Sequence, residues 1–290
     1  MDPTFADFIQ SAGLPEALLA HQASLYQPLA DWVIASRLTL VGIQGTQGSG
    51  KSTLAQVLKW HLEKRGLRVE VLSIDDLYLS RADRQALAQS THPLLATRGV
   101  PGTHDVVLGR EIFSWVLSGT GSRALPRFDK AQDDRASRAD WHHCETPPDV
   151  LLFEGWCVGL TAQPEIELTE PVNSLEARED STGDWRHYVN DQLRQFYEPW
   201  FNQLDALIVL QAPGFEQVFA WRKKQEEALR ARKQGQGVMD EVALRRFISH
   251  YERLTRHALT TLPDTADVLI PLGADQQPGR MQWLKKGPSQ

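Results

Sequence analysis

The apolar residues of this chain fall into two rhythms that take turns. Short apolar runs, RLTLVGIQ (37–44), RVEVLSID (68–75), DVLLFEGW (149–156), ALIVLQAP (206–213) and ADVLIPL (266–272), read as buried strands. The stretches 52–66, 105–119, 185–203, 214–234 and 240–260 have helical spacing; Gly66 offers a C-cap to the first, and QGQG splits the last two. Residues 5–36 also have helical spacing, through Phe8, Leu14, Leu18, Leu19, Leu25, Leu29 and Trp32. Residues 80–105, broken by Pro93, Gly99, Pro101 and Gly102, read mostly as loop, and ALPRFDK (124–130) as a short strand or extended segment. Residues 161–184, rich in acids and poor in large apolar groups, read as an exposed insertion. Strand, helix and strand within about 40 residues make a βαβ unit and so a parallel sheet. The pattern predicts a helical extension over 1–36 and one α/β domain over 37–290.

Composition narrows the class. The 290 residues are 41% hydrophobic and 23% charged, enough for a core without disulfide support. Two cysteines, Cys144 and Cys157, fit a reducing compartment, so a cytoplasmic protein is expected. The opening MDPTFADFIQSAGLP has an acidic flank and no long apolar core, unlike a secretory signal. No run approaches the roughly 18 apolar residues of a membrane span. A net charge of −6 argues against nucleic acid as a partner but leaves room for a local basic pocket that takes a small anion.

Chemistry enters at Gly45-Thr46-Gln47-Gly48-Ser49-Gly50-Lys51-Ser52, which fits G-x-x-x-x-G-K-[ST] at every fixed position, with a strand before it and a helix after it. Glycines let backbone N–H groups turn inward around phosphate oxygens, and the helix N-terminus that continues through Thr53 adds a favourable dipole. Lys51 should reach the β- and γ-phosphates of a nucleotide such as ATP, and Ser52 should ligate Mg²⁺.

Two sites at strand ends bear on the reaction. Asp75 and Asp76 close the strand 68–75, where alternation would send them to opposite faces. A carboxylate there can take a proton from an attacking hydroxyl, or can cap the helix opened by LYLSRADRQALA; one role per residue satisfies both. Glu154 ends the strand DVLLFEGW, where an acid sits on the metal side of a P-loop site.

With these pieces in order, the chain resembles the P-loop small-molecule kinases that include uridine kinase, phosphoribulokinase and bacterial pantothenate kinase. The runs VGIQGTQGSGKSTL, SIDDLYLS, RGVPGTHD, PRFDKAQDDR and FEGWCVG are similar to the D-glycerate 3-kinase-like branch, and WRKKQE and ADVLIPLGAD extend the resemblance over most of the chain. It implies a three-layer P-loop NTPase fold with a mostly parallel central sheet, and a helical lid in 214–262. It implies ATP-dependent phosphorylation of a small-molecule acceptor, D-glycerate first among the candidates and pantothenate, a nucleoside or a sugar after it. A regulatory NTP-binding module is the alternative from another class. The resemblance makes Asp75 the catalytic base and leaves Asp76 a capping role or one that supports the site from behind. Tyr78 and Asp129 belong to the acceptor site, and Arg222 is the lid residue over the transferred phosphate. Helical phase among Arg222, Lys223 and Lys224 is not set by sequence. A carboxylate-bearing acceptor needs cations, for which Arg98, His104, Arg127, Lys130 and Arg135 are candidates. PLGADQQ (271–277) falls where the adenine would lie.

Other features read as structural. WHHCE (141–145) has consecutive metal-ligand types, but adjacent residues rarely converge on one ion, and a loop is expected. Trp60, Trp115, Trp200 and Trp221 sit in helical segments and should pack. Glu226 and Glu227 interrupt the basic run at 222–233 and argue against a nucleic-acid strip.

Overall fold

In the computed structural model, which describes residues 3–232 and 239–285, the chain opens with α1 (Phe5–Ser11) and α2 (Gln27–Ala35). Next come β1 (Leu40–Gly45), α3 (Lys51–Glu63), β2 (Val69–Ser73), α4 (Arg81–Ser90) and α5 (Val106–Ser118). Four short strands follow, β3 (Arg123–Leu125), β4 (Phe128–Asp129), β5 (Asp134–Arg135) and β6 (His142–Cys144), then β7 (Val150–Gly155). After α6 (Ser174–Glu179), α7 (Asp184–Gln192) and α8 (Glu198–Phe201) come β8 (Ala206–Gln211), α9 (Phe215–Arg232), α10 (Glu241–Thr265), β9 (Val268–Pro271) and β10 (Gln282–Trp283).

The five apolar runs become the five parallel strands of one sheet, ordered β9-β8-β1-β7-β2, with β10 added antiparallel on the β9 edge. Alternation along each strand feeds two cores. Leu40, Leu151 and Phe153 face one layer with Phe113 and Trp200; Val41, Ile43, Val150 and Leu152 face the other with Leu54, Leu58 and Trp221. Helices therefore cover both faces, as a parallel sheet requires. Register brings the strand ends level: Ile43 pairs with Glu154, and Ser73 pairs with Glu154 from the other side. The P-loop leaves β1 beside β7, with the ends of β2 and β8 on either flank. Trp200, Trp221 and Trp115 are buried, the packing role expected of them.

Four expectations change. The helical stretch over 5–36 is divided: Gly13 takes a φ of 62°, a 3₁₀ segment spans Glu16–His21, a π turn spans Gln22–Tyr26, and Pro28 enters in the first turn of α2 without an N–H to give. Residues 80–105 hold a helix, α4, capped by Ser80. Its single buried residue is Arg84, so it has no apolar stripe for a sequence to display. WHHCE is not a loop, since His142–Cys144 pairs with Arg123–Leu125 as an antiparallel ladder. The QGQG separator lies outside the described residues.

The acid-rich segment 161–184 is not simply exposed either. Leu168, Leu175, Glu176 and Asp180 are buried in it. Arg253 on α10 gives Nε and Nη2 to the two oxygens of Glu176 at 2.9 and 2.7 Å, and Nη1 to the carbonyl of Glu167 at 2.7 Å. Arg186 gives Nη1 to one carboxylate oxygen of Asp180 at 3.0 Å and to its carbonyl at 2.6 Å. The acids that made the segment look solvated are pairing groups. Arg253→Met should strand the carboxylate of Glu176 and lower stability by about 3–5 kcal/mol. Urea unfolding followed by fluorescence measures this, and an unchanged midpoint would mean that the segment is held by other contacts.

Candidate active site

The loop after β1 is shaped by glycine conformation. Gly48 and Gly50 adopt φ of 82° and 87°, which turns the intervening backbone inward and places Gly50 as the N-cap of α3. A Cβ on Gly45 would collide with the Ser49 hydroxyl, so the strand can enter the loop this closely only without one. Thr46 and Ser49 are buried behind the loop. The side-chain amide of Gln276, from the segment after β9, donates to the carbonyl of Gly48 at 2.6 Å and steadies the loop from outside.

A cavity of about 420 Å³ opens over this loop, and it gathers residues from widely separated stretches. Gln47, Gly48, Gly50, Lys51, Ser52 and Thr53 form its floor; Asp75, Tyr78, Arg98 and Lys130 form one wall; Arg222, Phe247, Tyr251 and Trp156 complete it.

Asp75 does not sit on the strand. β2 stops at Ser73, whose hydroxyl accepts from the Asp75 N–H, and Ile74–Leu77 turns as a 3₁₀ segment. Strand alternation therefore does not separate the two acids, as the sequence had led us to expect; the turn does. Asp75 faces the cavity, where Tyr78 donates its phenol to Oδ1 at 2.9 Å and Lys130 its ammonium to Oδ2 at 2.7 Å. Burial works against the charge of Asp75, but Lys130, Lys51 and these hydrogen bonds outweigh it and bring the carboxyl down to about 2. Burial and the Asp75 charge push the Tyr78 phenol far up, so it remains a donor. Asp76 turns away and accepts from the Phe128 N–H at 3.1 Å and from Arg127 at 3.3 Å. It caps no helix, since Ser80 has that place; it pins the 126–128 segment, and so Lys130, to the turn.

Glu154 is 4% exposed. Its Oε1 accepts from the Ser52 hydroxyl at 2.7 Å, and its Oε2 is buried with no partner among the described residues. A buried, unsatisfied carboxylate oxygen beside a serine hydroxyl at the P-loop is a donor set that fits a hard, oxygen-seeking divalent cation such as Mg²⁺.

Of the five cations considered for an anionic acceptor, Arg98 and Lys130 line the cavity. Arg127 is paired with Asp76, and Arg135 holds the Tyr78 carbonyl at 3.0 Å and Asp105 at 3.2 Å. His104 is a correction. It lies 4% exposed behind Tyr78, ring centroids 4.6 Å apart, with Nδ1 on the Tyr197 hydroxyl at 2.8 Å. Burial lowers its pKa to about 3, so it is neutral and backs the Tyr78 ring instead of binding an anion. Asp129 is a second correction: it does not line the cavity, and its Oδ1 accepts from the N–H groups of Ala131 and Gln132 at 2.8 and 3.2 Å, closing the β4–β5 turn.

The lid cations separate. Arg222 lines the cavity, Lys223 is paired with Glu241 at 2.9 Å, and Lys224 lines a second cavity of about 390 Å³ on the far side of the P-loop. That second cavity shares Gly48, Gly50 and Thr53 with the first and is bounded by Leu18, Tyr26, Leu272 and the 275–278 segment.

Three contributors escaped the sequence reading. Asp133, with φ of 54°, pairs with Arg98 and accepts at its carbonyl from the buried Arg84 at 2.7 Å, which fixes Arg98 toward the cavity. Trp156 donates to the carbonyl of Gly99 at 3.0 Å, and Tyr251 donates to that of Arg98 at 3.1 Å. The acid-rich QDD stretch was a signal for the first; nothing local marks the others.

Comparison with known proteins follows the same outline. A family model described as the methylmalonyl Co-A mutase-associated GTPase MeaB matches residues 14–78, the stretch that contains the P-loop and Asp75. Over 228 residues the chain is 34% identical to an uncharacterized kinase, mug58, of Schizosaccharomyces pombe, covering 73% of this chain and 78% of that one. It is 30% identical over 233 residues to the chloroplastic D-glycerate 3-kinase of Arabidopsis thaliana, covering 77% of this chain but 48% of that longer protein. A solved structure of D-glycerate 3-kinase from Cryptococcus neoformans var. grubii superposes with a TM-score of 0.74 at 25% identity, over 89% of this chain and 99% of that one.

Proposed function

The chain belongs to the D-glycerate 3-kinase-like branch of the P-loop kinases, and from that premise we propose that it transfers the γ-phosphoryl group of ATP to a hydroxyl of D-glycerate, giving 3-phosphoglycerate. One observation carries the acceptor assignment: Arg98 and Lys130 stand with Asp75 in the cavity that the P-loop floors. A hydroxy acid brings a carboxylate for the cations and a hydroxyl for the acid. A nucleoside carries no anion for either cation to bind, so it would gain nothing from Arg98 or from the Lys130 ammonium.

The chain's own groups have these parts. The P-loop N–H groups and Lys51 hold the β- and γ-phosphates, and the second cavity takes the adenine between Tyr26 and Leu272. Mg²⁺, held through Ser52 and Glu154, supplies neutralisation of the phosphate oxygens when bound. Arg98, fixed by Asp133, grips the acceptor carboxylate. That carboxylate competes with Asp75 for the Lys130 ammonium and so exposes Oδ2 to the acceptor hydroxyl. The hydroxyl gives its proton to Asp75 as its oxygen bonds to the γ-phosphorus and ADP departs. With Lys130 against it the carboxyl lies at about 2 and is a weak base, and withdrawal of that ammonium raises it. It suffices here because the transition state is loose and the proton moves late. Arg222 meets the charge on the transferring group from the lid side.

The test is a panel of D-glycerate, pantothenate, uridine and ribulose 5-phosphate with ATP, the product position read by phosphorus NMR. Turnover of D-glycerate to the 3-phosphate is expected. Failure with D-glycerate but turnover of another acceptor would overturn the substrate and leave the kinase standing, whereas ATP consumption independent of any acceptor would favour a switch module.

Removing the ammonium beside Asp75 should move the pH profile. Asp75 is held low by its neighbours, so the wild-type enzyme keeps its base charged at all pH values well above about 2. In Lys130→Met the carboxyl rises, and the acid limb of kcat/KM should shift upward by about one pH unit or more, with a higher KM for the acceptor. An acid limb that stays in place would mean Lys130 does not set the charge of Asp75.

A further inference from the structure

β2 is the outer strand of the main sheet, and on it Glu70 meets β6. Alternation along β6 puts His142 and Cys144 on one side and sends His143 to the other, where its ring lies near Glu145 at 3.5 Å. The consecutive histidines and cysteine of WHHCE therefore do not have to converge, because the strand selects the first and third and supplies a partner from 72 residues away. One ligand atom each of Glu70, His142 and Cys144 lies within 4.8 Å of the other two, and among the described residues this is the group of three such donors that does so. His142 Nε2 is 3.1 Å from Glu70 Oε1. Lys59 holds the other carboxylate oxygen, Oε2, at 3.2 Å, which fixes the carboxylate with Oε1 turned toward the histidine.

We propose that Glu70, His142 and Cys144 form a binding site for a thiophilic divalent cation of the zinc class, separate from the phosphate-transfer site, with a fourth position open to water.

The donor chemistry supports that choice. A thiol, an imidazole and one carboxylate oxygen suit Zn²⁺ or Co²⁺, whereas Mg²⁺ prefers oxygen alone and stays with Ser52 and Glu154. Donors around such an ion stand roughly 3–4 Å apart, so the group needs to close by about 1 Å. The His142 side chain, 44% exposed, has the freedom to do so. Cys144 is the ligand thiol because Cys157 is fully buried elsewhere in the core. At rest, burial and the Glu70 charge raise the Cys144 thiol to about 11. Binding replaces a proton: the divalent ion bonds to sulfur and the thiol proton leaves to solvent.

Co²⁺ serves as the probe, added to the nucleotide-free protein in excess Mg²⁺, followed by titration with Zn²⁺ in a calorimeter. One equivalent should bind with a near-ultraviolet thiolate-to-cobalt absorption, and Zn²⁺ should displace it. Cys144→Ser should abolish that absorption. His142→Gln, an exposed change that spares the core, should weaken binding about 10–100-fold while leaving ATP-dependent activity unchanged. A cobalt spectrum without the thiolate band, or wild-type affinity in His142→Gln, would overturn the site even if Cys144→Ser failed to fold.

Discussion

Asp75→Asn is expected to lower kcat by about 10²–10⁴ while ATP binds with near wild-type affinity. The amide keeps the size and the hydrogen bond from Tyr78 but cannot accept a proton, and it no longer draws in Lys130. Nucleotide titration and single-turnover phosphate transfer separate the two effects. The P-loop contacts that hold ATP do not pass through Asp75, so binding should survive. Transfer should not, because on the proposed mechanism the acceptor hydroxyl loses the group that orients it in line and takes its proton. An Asn variant with wild-type kcat would remove Asp75 from the reaction, and Asp76, which pins Phe128 from outside the cavity, could not replace it.

Lys51→Ala should be nearly as severe, by about 10²–10³ in kcat, and should also weaken ATP binding. The side chain lines the cavity at the start of α3, where the helix dipole and the inward N–H groups already favour anions. On the proposed mechanism, losing its ammonium removes a donor that follows the γ-phosphoryl group as charge shifts between oxygens. Circular dichroism should show an intact fold, because Lys51 lines the cavity and is only half-buried. Retained turnover would mean that the loop binds some other anion.

What the sequence disclosed was local. The P-loop, Glu154 and Asp75 are legible because each lies at the carboxyl end of an apolar run, and β-strand periodicity survives in a single chain. Contacts between distant loops were not legible. Lys130 belongs with Asp75 across 55 residues, a pairing that no local pattern marks. His104 looked like a cation until burial made it neutral, and burial is a property of packing, not of residue type. The helix α4 was missed because its inward face carries Arg84, and the acids of 161–184 looked solvated because their partners, Arg186 and Arg253, lie outside that stretch. Glu70, His142 and Cys144 form a group only once strand pairing has chosen their faces.

The ion pair between Lys130 and Asp75 also bears on what the enzyme declines to do. With ATP in place and no acceptor, water is the competing nucleophile. Water carries no carboxylate to draw the ammonium away, so Oδ2 stays occupied at 2.7 Å and the base remains out of use. On the proposed mechanism the acceptor is thus its own licence: the group that identifies it as a hydroxy acid is the group that frees Asp75 for the chemistry. Idle hydrolysis of ATP should be slow for that reason, and Lys130→Met, which leaves Asp75 open at all times, should lose that restraint.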